Sequence, residues 1–97
     1  MIPAGVIRVY RADGQLLCEL TASCEGIRFS AHGRAVADGE IDSHEWELPG
    51  GDVLNNPIDI RGALGTAHVV AGSNAHVLFE AWGDVVRLMH EHADNRL

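Results

Sequence analysis

Residues 73–92 read SNAHVLFEAWGDVVRLMHEH and form the one long segment of the chain whose apolar residues recur at helical spacing. Four apolar residues make a stripe along this segment: Leu78, Trp82, Val85 and Met89. Charged residues fall on the opposite side: Glu80, Asp84, Arg87 and Glu91. The pattern predicts an amphipathic helix over residues 73–92, with Ser73 or Asn74 as its N-cap. We interpret the rest of the chain as a sheet that receives this helix.

The apolar arc of the predicted helix is wider than a helix lying on one sheet needs. Further apolar residues extend the stripe: Ala75, Phe79, Ala81, Val86 and Leu88. We therefore expect a long loop or a second subunit to cover the flank of the helix. A homodimer through the C-terminal helix is one such arrangement.

Residues 6–21 predict a β-hairpin closed by Asp13-Gly14, because Asp-Gly is favoured in two-residue turns. With Ala12 opposite Gln15, the predicted pairs are Arg11–Leu16, Tyr10–Leu17, Val9–Cys18, Arg8–Glu19, Ile7–Leu20 and Val6–Thr21. One face of this hairpin is apolar apart from Arg11, and the other face holds an opposite-charge pair. We expect Cys18 to be buried on the apolar face.

A second Asp-Gly, at residues 38–39, predicts a second hairpin, since residues 27–32 also alternate between apolar and polar. The predicted pairs are Ala37–Glu40, Val36–Ile41, Ala31–Trp46, Phe29–Leu48, His32–Glu45 and Ser30–Glu47. Gly33 interrupts this strand and predicts a bulge or an earlier turn. After an irregular loop, short strands are expected at residues 58–61 and 66–70.

These elements predict one α+β domain over residues 1–97, with an antiparallel sheet of four to six strands packed against one C-terminal α-helix. The chain lacks a signal-peptide pattern and any apolar run long enough to cross a bilayer, so we expect a cytoplasmic protein. Cys18 and Cys24 are then predicted to be free thiols, although their spacing also permits a disulfide. All seven basic residues are arginine, which indicates a GC-rich bacterial or phage coding sequence.

Charge is segregated along the chain, whose formal net charge is −7. Residues 35–60 contain no arginine and seven of the fourteen acidic residues: Asp38, Glu40, Asp42, Glu45, Glu47, Asp52 and Asp59. The remaining seven acids balance the seven arginines. A nucleic-acid-binding protein needs a basic patch, so this distribution argues against direct binding of nucleic acid.

The acidic segment predicts a docking surface for a basic protein, because a field of one sign speeds and orients encounter with a positive surface. The residues assigned to this surface are Asp38, Glu40, Asp42, Glu45, Trp46, Glu47 and Asp52. Trp46 would serve as an anchor if it is exposed. The leading hypothesis is therefore a small inhibitor or regulator of a partner with a basic surface, as in phage-type inhibitors of host nuclease systems. The simpler alternative is that the acids keep the protein soluble and protect a sheet edge.

Two other functions stay open. His44, Glu45 and Glu47, with His32 opposite Glu45 in the predicted register, could bind a divalent metal in a small enzyme. The HExxH spacing fails, however, because residue 48 is leucine, and no GxSxG or P-loop motif is present. We therefore assign no catalytic residue, metal or cofactor. The wide apolar arc also favours a homo-oligomeric structural subunit of a phage or secretion particle.

Overall fold

The alternation of apolar and polar residues over the first half of the chain produces long antiparallel strands, as predicted. The computed structural model describes residues 1–95. Its strands are β1 (Ile2–Tyr10), β2 (Leu16–Glu25), β3 (Arg28–Ala35), β4 (Gly39–Glu40), β5 (Ser43–Glu47), β6 (Val53–Asn55), β7 (His68–Val69) and β8 (Asn74–Glu80). Its helices are α1 (Ile60–Leu64) and α2 (Gly83–Asn95). Six strands form one antiparallel sheet in the order β6-β5-β1-β2-β3-β8, and β4 pairs with β7. The predicted α+β class is thus confirmed.

The first hairpin has the predicted register over most of its length. Four predicted pairs are observed: Val9–Cys18, Arg8–Glu19, Ile7–Leu20 and Val6–Thr21. Near the turn the prediction is wrong, because Arg11 faces Gln15 and Tyr10 faces Leu16. The register shift between Val9 and Tyr10 compensates for the longer loop. It also leaves both Leu17 and Cys18 buried, which a regular strand cannot do with neighbouring residues.

The second predicted hairpin does not form. Strand β5 pairs with β1 and β6, so Trp46 lies opposite Ile7 rather than Ala31, and Glu45 lies opposite Arg8 rather than His32. The segment that contains Asp38-Gly39 instead crosses to the far side of the β1–β2 hairpin and pairs Gly39–Glu40 with β7. Strand β3 continues through Gly33 without a register shift, so the predicted interruption there is also wrong.

Residues 73–92 divide into a strand and a helix, so the prediction of one continuous helix is wrong. Strand β8 pairs with β3, and α2 begins only at Gly83. Two members of the predicted stripe, Val85 and Met89, belong to α2 and are buried. The other two, Leu78 and Trp82, are 70% and 54% exposed. The wide apolar arc is therefore not a property of the helix.

Residues 58–70 also differ from the prediction. The expected strand at 58–61 is replaced by α1, which Asp59 caps by accepting a hydrogen bond from the N–H of Gly62 at 3.1 Å. Gly65 ends the helix in the left-handed conformation, with φ 74°. The expected strand at 66–70 is reduced to the two residues of β7.

The core lies on one face of the main sheet, under α1 and α2. Trp46 and Phe29 are its largest fully buried side chains, and their rings meet edge to face at 5.0 Å. Phe79 of β8 stacks on Phe29 at 5.3 Å. The other face of the sheet carries polar and charged side chains and no covering element among residues 1–95, and this open face holds the candidate surfaces described below.

Cys18 and Cys24 are buried free thiols, and burial raises the pKa of each. Within the part of the chain that the structure describes, no helix combines the length and apolar character needed to cross a bilayer.

Candidate functional site

Two of the predicted docking acids, Glu45 and Glu47, lie on the open face beside an arginine. Arg8, on the neighbouring strand β1, donates to Glu47 at 3.2 Å and lies 4.0 Å from Glu45. The same guanidinium donates to Glu19 of β2 at 3.0 Å. The hydrogen bond that Arg8 donates to Glu19 is the largest of the causes that raise the pKa of Arg8. Because one cation lies among these carboxylates, this part of the open face is not uniformly anionic.

Asp52 lies in the loop between β5 and β6, where its backbone oxygen accepts a hydrogen bond from Leu48 at 2.7 Å. Its Oδ2 is 2.8 Å from Nε2 of His92, so it connects this loop to α2. The carboxylate therefore has an intramolecular partner near the end of the helix.

Trp46 cannot act as a docking anchor, because its side chain is 0% exposed. Its indole N–H donates to the backbone oxygen of Ala4 at 2.7 Å. The sequence prediction depended on an exposed indole, so the structure corrects it. Trp46 belongs to the core, where it holds β5 against the start of β1.

Asp38, Glu40 and Asp42 lie in residues 36–42, between β3 and β5, which we call the crossing segment. Asp38 accepts a hydrogen bond from the N–H of Ala71 at 2.6 Å, and its backbone oxygen accepts one from Arg11 at 3.0 Å. Glu40 and Asp42 are exposed and make no ion pair with any residue in 1–95. The seven predicted docking residues thus lie in the crossing segment, on strand β5, in the loop after it and, for Trp46, in the core, and Arg8 lies among the carboxylates of β5.

The residues of the predicted metal site do not converge. His44 is buried on the inner face of β5, whereas Glu45 and Glu47 point to the open face. His32 lies opposite Thr21 on one side and His76 on the other. Among residues 1–92, whose side chains the structure describes, no group of three or more His, Cys, Asp or Glu is placed to share a metal ion.

His44 has a structural role instead. Its Nε2 accepts a hydrogen bond from the N–H of Ile58 at 3.4 Å, and its backbone N–H donates to Asn56 at 2.9 Å. Burial lowers the pKa of His44, because a charged imidazole loses hydration there. These contacts attach the loop before α1 to β5.

Strand β8 ends the sheet, and one side of its backbone forms no backbone hydrogen bond with any residue in the described range 1–95. Ala81 donates to the oxygen of Ile27 at 3.0 Å, and Ser73 accepts from the N–H of Ala35 at 2.9 Å. Backbone groups alternate in direction along an antiparallel strand, so the odd-numbered residues between these bonds point toward β3. The even-numbered residues then direct their N–H and C=O groups outward: Asn74, His76, Leu78 and Glu80. We call these outward backbone groups and their side chains the β8 edge.

The side chains of the β8 edge are all exposed and lie on the open face. Leu78 is 70% exposed, and Trp82, just beyond the strand, is 54% exposed. The opposite end of the sheet is different, since β6 is only three residues long. Short edge strands, proline and lysine are the usual protections against strand pairing, and β8 has none of them.

Sequence reasoning missed this edge because residues 74–80 satisfy two periodicities. Apart from Leu78, polar residues alternate with Ala75, Val77 and Phe79, and this period-two pattern indicates a half-buried strand. The longer helical pattern hid this shorter one. The alternation was the signal that could have identified the strand, although not its position at the edge.

Comparisons of this chain with protein-family models, with curated proteins and with solved structures found no match.

Proposed function

We propose that this chain is a small cytoplasmic protein-binding module, an inhibitor or regulator without catalytic activity, that pairs its β8 edge with a strand of another polypeptide. The observation that supports this proposal most directly is the row of outward backbone groups around the exposed Leu78. In strand addition, main-chain hydrogen bonds supply affinity and alternate side chains supply specificity.

The β8 edge has the features that this binding mode needs. Its outward N–H and C=O groups belong to four residues spread along a seven-residue strand. Pairing of β8 with β3 over residues 74–80 already holds the strand extended, so little conformational entropy remains to be lost on binding. Leu78 offers an apolar contact in the middle of a row that is otherwise polar.

Amide hydrogen exchange in the presence of short synthetic peptides tests the proposal. Peptides that alternate polar and apolar residues should protect the N–H groups of His76, Leu78 and Glu80. The N–H groups of Val77 and Phe79 point toward β3 and serve as internal controls. If the outward amides exchange freely in the chain alone and stay unprotected with every peptide at millimolar concentration, the proposal is wrong.

A pair of matched variants distinguishes strand pairing at the β8 edge from non-specific peptide binding. Leu78→Lys places a charge on the β8 edge and should abolish peptide protection, because a lysine there opposes strand addition. Val53→Lys makes the same change at an exposed valine on the opposite edge and should leave the protection unchanged. Equal loss in both variants would contradict the assignment to β8.

A second candidate function is the binding of a basic protein partner by the crossing segment. The observation that favours it is that Glu40 and Asp42 are exposed and lack ion pairs within residues 1–95. Arg11 and Arg61 line the same shallow concavity and reduce its negative field. Binding of an oligoarginine peptide should weaken in Glu40→Gln/Asp42→Asn and persist in Glu45→Gln/Glu47→Gln. The reverse result, or no binding at low salt, would rule this candidate out.

A further inference from the structure

We propose that the strand received by the β8 edge is β8 of a second copy of this chain, in an antiparallel pair whose two-fold axis passes through Leu78. This inference rests on the proposed function and names its partner. It is carried by the direction of the backbone groups, by the symmetry of the side chains, and by the position of the exposed apolar residues.

The backbone geometry allows a two-fold pair centred on Leu78. In an antiparallel ladder, directly opposed residues alternate between pairs that exchange two hydrogen bonds and pairs that exchange none. Leu78 directs its N–H and C=O outward, so it can exchange both bonds with Leu78 of the partner subunit. His76 and Glu80 have the same direction and form the next bonded pairs on either side of the axis. Both strands therefore use the same residues, as an isologous interface requires.

The side chains are complementary in this register. His76 lies opposite the partner's Glu80, and the two-fold axis repeats that pair on the other side. An imidazole N–H can donate to a carboxylate, and opposite-charge pairs across strands are stabilising when the imidazole is protonated. The two copies of Leu78 lie against each other at the axis, which covers a side chain that is 70% exposed in the single chain.

An axis through Val77 also satisfies the hydrogen-bond pattern but matches the side chains less well. It places His76 opposite the partner's Leu78 and Glu80 opposite the partner's Asn74. No apolar pair and no charge pair then forms on the open face. The register through Leu78 is therefore the one that the side chains select.

The neighbouring strand extends this complementarity. Arg28 of β3 lies opposite Glu80, and Glu25 of β2 lies opposite Arg28. In the paired sheets a row on the open face would run Glu25, Arg28, Glu80 and then the partner's His76, so that basic and acidic side chains alternate. Trp82, 54% exposed, lies just beyond the paired residues, where it would approach the partner's Asn74. The homodimer that the sequence predicted through the C-terminal helix is thus reassigned to the strand before that helix.

Sedimentation of the full chain over a concentration series tests the inference. We expect a monomer–dimer equilibrium that Leu78→Lys abolishes and Val53→Lys preserves. Thermal unfolding of both variants checks that each remains folded. A chain that is monomeric at millimolar concentration overturns the inference, and so does a dimer that is insensitive to Leu78→Lys.

Charge exchange tests the register. H76E places two carboxylates opposite each other at both ends of the pair and should weaken dimerisation roughly tenfold. The double variant H76E/E80H restores opposite partners and should recover most of that loss. If the double variant is no tighter than H76E, the axis does not pass through Leu78.

The outcomes separate this inference from the proposed function. A monomer whose outward amides are still protected by synthetic peptides overturns self-pairing and leaves strand addition standing. A monomer whose outward amides are not protected by any peptide overturns both self-pairing and strand addition. A dimer with protected outward amides and a rescued charge exchange supports both.

Discussion

The two Asp-Gly dipeptides of this chain, at residues 13–14 and 38–39, have the same sequence and different structures. The first closes a hairpin, with the N–H of Gly14 donating to Arg11 and the N–H of Arg11 donating to Gln15, both at 2.9 Å. Gly14 has φ 88°, which glycine adopts with little cost. This combination is the usual three-residue hairpin loop, one residue longer than the predicted turn.

The second dipeptide does not form a turn between two neighbouring strands. Gly39–Glu40 pairs with β7, and Asp38 accepts a hydrogen bond from Ala71 at 2.6 Å. The chain then enters the sheet at β5, beside β1, with two strands between β5 and β3. Asp38 thus stabilises a contact across the chain instead of a turn.

The difference between the two dipeptides shows under which condition Asp-Gly forms a hairpin. The two strands that flank Asp13-Gly14 are neighbours in the sheet and pair with each other. Strand β3 has two edges, and these are occupied by β2 and β8, so no edge remains for β5. A favoured turn dipeptide therefore predicts a hairpin only where the flanking strands are also neighbours in the sheet. Three substitutions and one titration test this explanation.

The largest expected effect is that of Gly33→Ala, which tests whether β3 continues beside β2. A Cβ at position 33 would collide with the backbone oxygen of Glu19, and a backbone atom cannot move aside cheaply. We expect a loss of about 3 kcal/mol or more in the free energy of unfolding, measured in urea. Gly83→Ala is the control, because nothing lies within 4 Å of its Cβ. A loss below about 1 kcal/mol would mean that β3 ends before Gly33, as a second hairpin requires.

Gly14→Ala tests the first turn and should have the next largest effect. The left-handed backbone at φ 88° costs other residues about 1–2 kcal/mol, and we expect that loss in the free energy of unfolding. Gly14→Asn should lose less, because asparagine tolerates this conformation better. Equal stability of the alanine variant and the unmodified chain would show that this turn does not limit the hairpin.

Asp38→Ala tests the long-range contact of the second dipeptide. Removing the acceptor of Ala71 should lower the free energy of unfolding by about 1 kcal/mol. It should also speed hydrogen exchange at the N–H of Ala71, which Asp13→Ala should leave unchanged. If exchange at Ala71 stays slow while the β3–β5 connection loosens, Asp38 acts as a turn residue after all.

The smallest expected effect is the titration of Asp13, because this side chain is largely exposed. Arg11 donates to both of its carboxylate oxygens, at 2.9 and 2.7 Å, and lowers the pKa of Asp13 to about 2. The folded pKa is below the unfolded value, so the stabilisation is complete above pH 3.8 and is lost as the pH falls toward 2. NMR titration should show this low midpoint, and Arg11→Gln should raise it. A midpoint at the ordinary value in the unmodified chain would contradict the ion pair.

Local patterns predicted the parts of the fold in which sequence neighbours pair with each other. The β1–β2 register from Val9 outward, the burial of Cys18 and the α+β class followed from a turn signal and a period of two. The division of residues 73–92 did not, because residues 74–80 fit both a helix and a strand. Their choice depended on β3, which presented an edge where Ala75, Val77 and Phe79 could face the core.

The candidate site was predictable only in its chemistry. Leu78 and Trp82 were recognised as surplus apolar residues that call for a partner, but they were assigned to a helix. The acidic residues were counted correctly along the chain, yet Arg8 and Arg11, distant in sequence, lie beside Glu47 and Asp38 in space. A one-dimensional charge count cannot include such cross-strand neighbours.

Sequence patterns were sufficient to predict the fold class, the first hairpin from Val9 outward and the helical character of residues 83–92. Each of these depends on interactions between residues close in the chain, which turn chemistry and periodicity report directly. The partners of each strand, the open edge of the sheet and the carboxylates that contact an arginine depend on the whole fold. Every strand has two edges and many possible partners, so pairing is settled by the combination that buries the most apolar surface with its backbone groups bonded.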